Sequence, residues 1–129
     1  MQRLDSLYIQ DSQLGGRGVF SSQFIAAGTL IEICPVIVFS SVDLKLIHQT
    51  YLHDYYFLWT DEENGSEGAI ALGYGSLYNH SYDPNSEYYT NTEQQTLDIF
   101  AIKDIAPGEE ITFNYNGMPH DPSPLWFNS

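Results

Sequence analysis

A chain of 129 residues, 43% of them hydrophobic, is long enough to form one core and too short for two. Asp and Glu number 17 against 4 Lys and Arg, and the net charge of −13 argues against nucleic acid or anionic lipid as a direct ligand. The same imbalance favours a cationic protein partner, although solubility alone also explains it. No apolar run approaches the roughly 20 residues that span a bilayer, and residues 1–5 lack the apolar core of a signal peptide. We therefore expect one intracellular domain without membrane contact.

The single cysteine, Cys34, excludes an internal disulfide and a cysteine-based zinc cluster. It lies in an apolar run, which is typical of a buried and inert thiol. His80 and Asp83 are close enough in sequence to share a metal ion, but a second pair of ligands is missing. The sequence therefore predicts no metal site.

Short runs of β-branched and aromatic residues between turn signals predict a mostly-β chain. Pro35 separates two of these runs and is expected at a bend or a sheet edge. The polar residues 91–95 are expected to join an antiparallel pair of strands. The predicted strands are residues 7–9, 18–20, 30–34, 36–39, 69–72, 87–90, 97–102 and 111–114.

One short helix is predicted between the strands. Ser40 or Ser41 can cap it, and apolar residues spaced along the following turn carry it to about His48. The aromatic segment 51–59 fits either a helix or a buried strand. Residues 61–68 are acidic and contain glycine, so they are expected to form a surface loop.

A short internal repeat, I-A-x-G-x-x-I, occurs at residues 25–31 and again at residues 105–111. Each copy places a glycine-containing turn before a predicted strand, so both copies are expected to be turn-to-strand corners of similar sheets. A pattern this short also arises by chance.

Two segments combine glycine or polar residues in patterns that suit ligand binding. In residues 14–20, L-G-G-R-G-V-F, glycines flank Arg17 and permit positive φ and close approach of the backbone to a ligand, or an ordinary tight turn. In residues 73–85, short polar side chains stand among apolar residues. Buried polar side chains must find partners, so they either pin this loop or bind a ligand. The side chains concerned are Asn79, His80, Ser81 and Asn85.

A third segment, residues 107–116, reads P-G-E-E-I-T-F-N-Y-N. Glu109 and Glu110 fit a solvated charge pair, and Tyr115 fits a core aromatic residue. Taken alone, this segment indicates a turn followed by a strand.

The three segments in their order resemble the signature of the SET-domain protein-lysine methyltransferases. The motifs are Gly-x-Gly-Val-Phe, then Asn-His-Ser-x-x-Pro-Asn, then Gly-Glu-Glu-Ile-Thr-x-x-Tyr, and the resemblance covers residues 7–115. It is strongest with the minimal viral and bacterial-type members. It implies a mostly-β SET-domain fold of several small sheets and one or two short helices, with the last motif threaded in a knot-like arrangement through a loop made by the preceding segment.

The same resemblance implies an enzyme that transfers a methyl group from S-adenosylmethionine (SAM) to a lysine side chain. The cofactor would contact the backbone of Gly16, Arg17 and Gly18. Asn79 would bond the amino end of the cofactor, and His80 would anchor its adenine through backbone groups.

The final motif of the family carries its catalytic tyrosine, which falls here on Tyr115, beside the cofactor. Tyr55, or alternatively Tyr56, takes the place of the tyrosine that lines the lysine channel. The whole chain, residues 1–129, is then one SET domain in which residues 115–129 cover the site. Trp126 would close over the cofactor, or serve as a plain core residue.

The expected substrate is a lysine in a basic protein segment, with histone-like tails as the obvious class, and bacterial or ribosomal proteins as another. Histone-directed activity would place the protein in the nucleus or a host nucleus. Because the small viral members act as dimers, a homodimer is an expectation that comes from the resemblance alone. The alternative function is a non-catalytic SET-fold module that binds a basic or methylated protein.

Overall fold

The computed structural model describes residues 2–62 and 65–125, and it contains two small β-sheets with little helix. The prediction of a mostly-β chain is confirmed. The strands are β1 Leu7–Asp11, β2 Arg17–Ser21, β3 Leu30–Phe39, β4 Tyr56–Glu62, β5 Gly65–Ala71, β6 Asn79–His80, β7 Ser86–Asn91, β8 Thr96–Ala101 and β9 Glu110–Phe113. The helices are α1 Ser41–Ile47 and two 3-10 helices, Tyr51–Asp54 and Gly75–Leu77.

The four-stranded sheet has the order β1-β2-β9-β6. Strand β9 pairs antiparallel with β2 and parallel with β6, where Asn79 lies opposite Thr112 and His80 opposite Phe113. The final strand therefore lies between two strands that precede it in the chain. It brings the second and third sequence motifs side by side.

The five-stranded sheet has the order β4-β5-β3-β8-β7, and β3 is its long central strand. The prediction that Pro35 divides two strands is wrong, because β3 runs through it without a break. Pro35 lies where β3 stops pairing with β8 and begins to pair with β5 at Val36. A proline has no backbone N–H to donate, so the position between two partners tolerates it.

The predicted helix is confirmed as α1. Ser40 caps its first turn by accepting a hydrogen bond from the backbone N–H of Asp43 at 3.3 Å. The segment 51–59, which fitted either a helix or a strand, contains both. The first 3-10 helix occupies its beginning and leads directly into β4. In the described part of the chain, no helix has the length and apolar character needed to cross a bilayer.

Residues 61–68 do not form the surface loop that their composition predicts. Strand β4 continues to Glu62 and β5 begins at Gly65, so most of the segment belongs to an antiparallel hairpin. Cross-strand pairing overrides local polarity here, because both strands continue a ladder that is anchored in the core. The polar segment 91–95 is the expected turn between β7 and β8.

The core is built from apolar side chains of nearly every strand of both sheets. One charged group, Glu32, is 2% exposed within it. Its carboxylate accepts hydrogen bonds from the Tyr78 hydroxyl at 2.7 Å and the Tyr74 backbone N–H at 3.0 Å, and Arg3 lies 3.5 Å away. These partners offset the cost of burying a carboxylate. Cys34 beside it is fully buried, and burial raises the pKa of its thiol.

The two copies of the internal repeat pair with each other. Ile25 and Ile105 form an antiparallel bridge in which each backbone N–H donates to the other's carbonyl, at 2.9 and 2.8 Å. Each copy then turns at a glycine with positive φ, 88° at Gly28 and 83° at Gly108. The first corner enters β3 of one sheet and the second enters β9 of the other, so the repeat joins the two sheets. The expectation of two similar corners is confirmed.

We predict that Gly28→Ala and Gly108→Ala each lower the free energy of unfolding by about 1–2 kcal/mol. No atom lies within 4 Å of a Cβ built at either glycine, so the penalty is conformational and the two values should agree. Urea denaturation of each variant measures it, with Ala27→Ser at a neighbouring exposed position as the control. Wild-type stability in either glycine variant would contradict this account of the corners.

Candidate active site

A cavity of about 480 Å³ opens where the glycine turn, the first 3-10 helix and the β6–β9 pair meet. Its volume lies within the range of roughly 300–1,000 Å³ that is usual for small-molecule sites. It is lined by Leu14, Gly15, Gly16, Arg17, Tyr51, Asp54, Tyr55, Ser76, Leu77, Asn79, His80, Tyr115 and Leu125. All three sequence motifs therefore contribute to one cavity.

The glycine turn connects β1 to β2 at one wall of the cavity. Gly15 and Gly16 take φ values of 130° and 54°, a region that side chains rarely adopt. The turn is closed by a hydrogen bond of 2.9 Å from the Ser12 backbone N–H to the Gly16 carbonyl. Gly18 does not line the cavity, and its φ is not positive. A Cβ at Gly18 would overlap the carboxylate of Glu110, so the absence of a side chain makes room for that group.

Glu110 joins the three motifs through its two carboxylate oxygens. Oε1 accepts a hydrogen bond of 2.5 Å from the Ser12 hydroxyl, at the start of the glycine turn. Oε2 accepts one of 2.7 Å from Nδ2 of Asn79. Nδ2 of Asn79 also donates to the Arg17 carbonyl at 3.1 Å. With both Nδ2 protons committed, the polar atom that Asn79 offers to a ligand is its Oδ1 oxygen, an acceptor.

His80 uses its imidazole to hold the backbone of the third motif. Its Nδ1 accepts a hydrogen bond of 3.0 Å from the Tyr115 N–H, so the neutral ring carries its proton on Nε2. Burial lowers the pKa of His80, which favours this neutral form. Asp83 pairs instead with Lys103 at 2.7 Å on the surface, so these two side chains serve different partners.

Tyr115 follows β9 and reaches the cavity with its side chain fixed at several points. Its hydroxyl donates to the Tyr78 carbonyl at 2.5 Å, and its ring lies against His80 and Phe57 with centroids 5.3 and 6.5 Å away. Burial, followed by the neighbouring Tyr55 and Asp54, raises the pKa of Tyr115 well above its ordinary value. The hydroxyl therefore stays protonated at neutral pH and is suited to orient and stabilise rather than to take up a proton.

A second, narrow cavity of about 10 Å³ lies beside the first one. Both cavities share Tyr115 and Tyr55 as walls. Tyr56 lines only the narrow one, and its hydroxyl lies 3.0 Å from Nδ1 of His48. The narrow cavity is lined by Asp54, Tyr55, Tyr56, Phe57, Ser76 and Tyr115, a mainly aromatic set with polar tips.

Comparisons with known proteins agree with this geometry. A family model described as SET domain matches residues 16–116, which is most of the chain. The H3 lysine-37 specific histone-lysine N-methyltransferase of Schizosaccharomyces pombe is 33% identical over 122 residues, covering 94% of this chain and 76% of that protein. This chain belongs to the SET-domain family.

Two further matches differ in what they show. An H3 lysine-9 specific histone-lysine N-methyltransferase of the same yeast is 35% identical over 115 residues, 79% of this chain but 24% of that longer protein. The solved structure of the Neurospora SET domain protein DIM-5, a histone lysine methyltransferase, superimposes with a TM-score of 0.70 over 96% of this chain and 57% of that one. At 21% identity, this likeness shows the SET fold.

The SET fold gathers most of the residues that the motifs single out. Gly16, Arg17, Asn79, His80, Tyr55 and Tyr115 line one cavity, whereas Gly18 lies behind it and Trp126 falls outside the described residues. Asn85 pins the loop to β9, since its Oδ1 accepts the Thr112 N–H at 3.0 Å and its Nδ2 donates to the Glu110 carbonyl at 2.8 Å.

Sequence reasoning missed the part that Glu110 takes in the site. Glu109 and Glu110 fit a solvated pair in the sequence, yet Glu110 bridges two segments that are far apart in the chain. Two residues at opposite ends of the glycine turn bear on this role: Ser12 supplies a hydroxyl, and Gly18 leaves space for a side chain. No pattern in the sequence around them indicates that their partner is a glutamate near residue 110.

We predict that His80 makes stability fall as the pH drops below about 6.5, the ordinary histidine pKa. The pKa of His80 is lower in the folded protein than in the unfolded chain, so the unfolded chain binds the proton first as the pH falls. The contribution of neutral His80 to stability is therefore complete only above about pH 6.5. His80→Asn keeps an acceptor oxygen for the Tyr115 N–H without titrating in this range. Urea unfolding from pH 8 down to about 5 should give a shallower dependence in the variant. Identical slopes in the two proteins would contradict the prediction.

Proposed function

We propose that this chain is a SAM-dependent protein-lysine N-methyltransferase that acts on a basic segment of a histone-like protein. The observation that carries the proposal is the convergence of Gly16, Asn79 and Tyr115 on one cavity, although they lie in three separate motifs. Membership of the SET-domain family and histone-lysine N-methyltransferase relatives support the same activity.

The walls of the larger cavity suit the amino-acid end of SAM, which carries a carboxylate and an ammonium group. Among the described lining residues, Arg17 is the cationic side chain and Asp54 is the carboxylate. The Oδ1 oxygen of Asn79 can accept a hydrogen bond from the ammonium, and Glu110 holds that amide in the necessary orientation. The positive φ at Gly16 turns the backbone without a side chain that would fill the space.

When bound, SAM would supply an electrophilic methyl group on its sulfonium: the neutral lysine nitrogen would form a bond to the methyl carbon as the C–S bond breaks, its electron pair staying on sulfur in the departing thioether. The nitrogen must first be neutral, against an ordinary lysine pKa of about 10.4. The aromatic walls of the narrow cavity, Tyr55, Phe57 and Tyr115, disfavour the ammonium form by desolvation. The Asp54 carboxylate in the same lining acts in the opposite direction, so the sulfonium charge of bound SAM would have to add to the desolvation. The chain then holds nitrogen and methyl group in line by packing rather than by covalent chemistry.

Tyr115 contributes as a fixed, protonated hydroxyl. Its donation to the Tyr78 carbonyl places two oxygen atoms together beside the wall that Tyr115 contributes to both cavities. Oxygen dipoles at this point stabilise the partial positive charge of the transferring methyl group and orient the incoming nitrogen. Tyr55, which lines both cavities, forms the facing wall of the lysine channel in this proposal.

The C-terminal segment supports its assignment as a cover. Leu125 is 1% exposed and lines the larger cavity. The backbone before it is tied down, since the Ser123 carbonyl accepts hydrogen bonds from Tyr82 at 2.9 Å and from Asn116 at 2.7 Å. A segment anchored in this way closes the cavity beside His80 and Tyr115.

The substrate follows from charge and kinship. A net charge of −13 attracts cationic peptides and repels their acidic competitors. The matched relatives are specific for different H3 lysines, lysine-37 and lysine-9, so the SET domain alone does not fix the target lysine. An open groove beside the glycine turn, lined by Asp11, Tyr51 and Tyr55 among others, is available to flanking residues of a peptide.

The proposal is tested by incubating the protein with methyl-labelled SAM and a panel of histones, ribosomal proteins and acidic control proteins. Mass spectrometry then maps the label to a residue. Label on lysine in a basic protein is the expected result. Calorimetric binding of SAM without transfer to any protein would favour a non-catalytic module instead.

We predict that Tyr115→Phe lowers kcat by about a hundredfold, the usual effect of removing one hydroxyl that stabilises a transition state. SAM affinity should stay near the wild-type value, because the ring and its packing remain. Turnover of labelled SAM and calorimetry measure the two effects, with Tyr8→Phe on β1 as the control. Unchanged turnover would rule out this role of the hydroxyl.

We predict that Asn79→Ala weakens SAM binding about tenfold or more, because an ammonium loses a charge-assisted acceptor. Glu110→Gln should weaken it by a smaller factor, since a neutral amide holds Asn79 less firmly. Calorimetry at one salt concentration compares the three proteins, and Asn91→Ala in the β7–β8 turn is the matched control. Equal affinities in wild type and Asn79→Ala would refute the assignment.

A further inference from the structure

The carbonyl of Tyr115 accepts a hydrogen bond of 3.1 Å from the hydroxyl of Tyr88. The N–H of the same residue donates to Nδ1 of His80. Side chains from two different strands therefore hold both polar groups of the Tyr115 backbone. With both peptide groups fixed, the direction of the Cα–Cβ bond is fixed too, and the phenol can reach the Tyr78 carbonyl in only a narrow range of positions.

Tyr88 belongs to β7, the edge strand of the five-stranded sheet, whereas Tyr115 follows β9 of the four-stranded sheet. Its ring packs edge-on against Phe113 and Phe57, with centroids 4.9 and 5.3 Å away. These contacts leave the ring little freedom to rotate away from its acceptor. The hydrogen bond is thus a rigid connection from one sheet to the end of the other.

The hydroxyl of Tyr88 is suited to remain a donor. Burial raises the pKa of Tyr88 to about 12, so its hydroxyl stays protonated at neutral pH. The hydroxyl also lies against the turn that follows Tyr115, 3.6 Å from the position that a Cβ on Gly117 would occupy. That turn is closed by a hydrogen bond of 2.9 Å from the Gly117 N–H to the Asn114 carbonyl.

We propose that Tyr88 is a positioning residue for methyl transfer, acting through the carbonyl of Tyr115 and touching neither SAM nor lysine. The inference rests on the proposed function and adds a residue that lies outside the three motifs and does not line the cavity. Its hydroxyl sets where the Tyr115 phenol stands in the channel. The expected consequence is a selective effect on the chemical step.

The test compares Tyr88→Phe with Tyr89→Phe. The first substitution removes the hydroxyl and retains the ring between Phe57 and Phe113. The second removes a hydroxyl from the adjacent tyrosine on β7, whose side chain is 54% exposed and bonds only locally to Glu87. For each protein, kcat and KM are measured with a methyl-accepting basic peptide, SAM affinity is measured by calorimetry, and the melting temperature is recorded.

For Tyr88→Phe we expect kcat to fall about tenfold, the size of effect that a small misplacement of a reacting group produces. KM for the peptide and the dissociation constant of SAM should stay within about twofold of wild type, because ground-state contacts are untouched. Tyr89→Phe should match wild type in every measurement.

Three outcomes would overturn the inference. Unchanged kcat in Tyr88→Phe would show that the hydroxyl does not set the phenol, while the proposed function would stand. A parallel loss of SAM affinity and kcat would assign the hydroxyl to the fold instead of the chemical step. A wild-type protein that binds SAM but transfers no methyl group to any peptide would overturn both the inference and the proposed function.

Discussion

The site depends on one carboxylate, that of Glu110. It accepts a hydrogen bond from the Ser12 hydroxyl of the glycine turn on one side and another from the Asn79 amide on the other. Charge-assisted hydrogen bonds of this kind are short and directional, so the carboxylate fixes a distance as well as an attraction. The missing side chain of Gly18 is what allows it to sit between the two. Without this bridge, the turn and the β6 strand would still be joined through β9 and through the hydrogen bond from Asn79 to the Arg17 carbonyl, but Ser12 would lose its connection to Asn79.

A second constraint acts on Tyr115. The aromatic cluster around it fills the core and also supplies hydrogen bonds. Phe57, Phe113 and Tyr88 surround its backbone and ring, and they come from three different strands. Buried hydroxyls in such a cluster must each find an acceptor, and here the acceptors are the backbone carbonyls of Tyr115 and Tyr78. The same hydrogen bonds that satisfy buried polar atoms therefore also set the geometry of the site.

Much of this was readable in the sequence, and the exceptions share a cause. The helix cap near Ser40 and the two glycine corners are local patterns, and each predicted its structure, whereas the three motifs pointed to the fold only when read together as a family signature. Pro35 misled because a proline disfavours a strand only where its N–H is needed, and that depends on which neighbour is present. Glu110 and Tyr88 act across the fold on distant partners, so no short window of sequence could reveal their roles.

The position of β9 between β2 and β6 also bears on how the molecule is made. Among the strands in the described residues, ribosomal synthesis delivers β9 last, after both of its neighbours have emerged. Until it inserts, β2 and β6 have no partner in common and Tyr115 has no place to dock. Contacts between segments so distant along the chain form slowly, because the intervening loop must close first. A nascent chain from which β9 has not yet emerged also lacks Glu110 and Tyr115, so the cavity cannot yet have all of its walls.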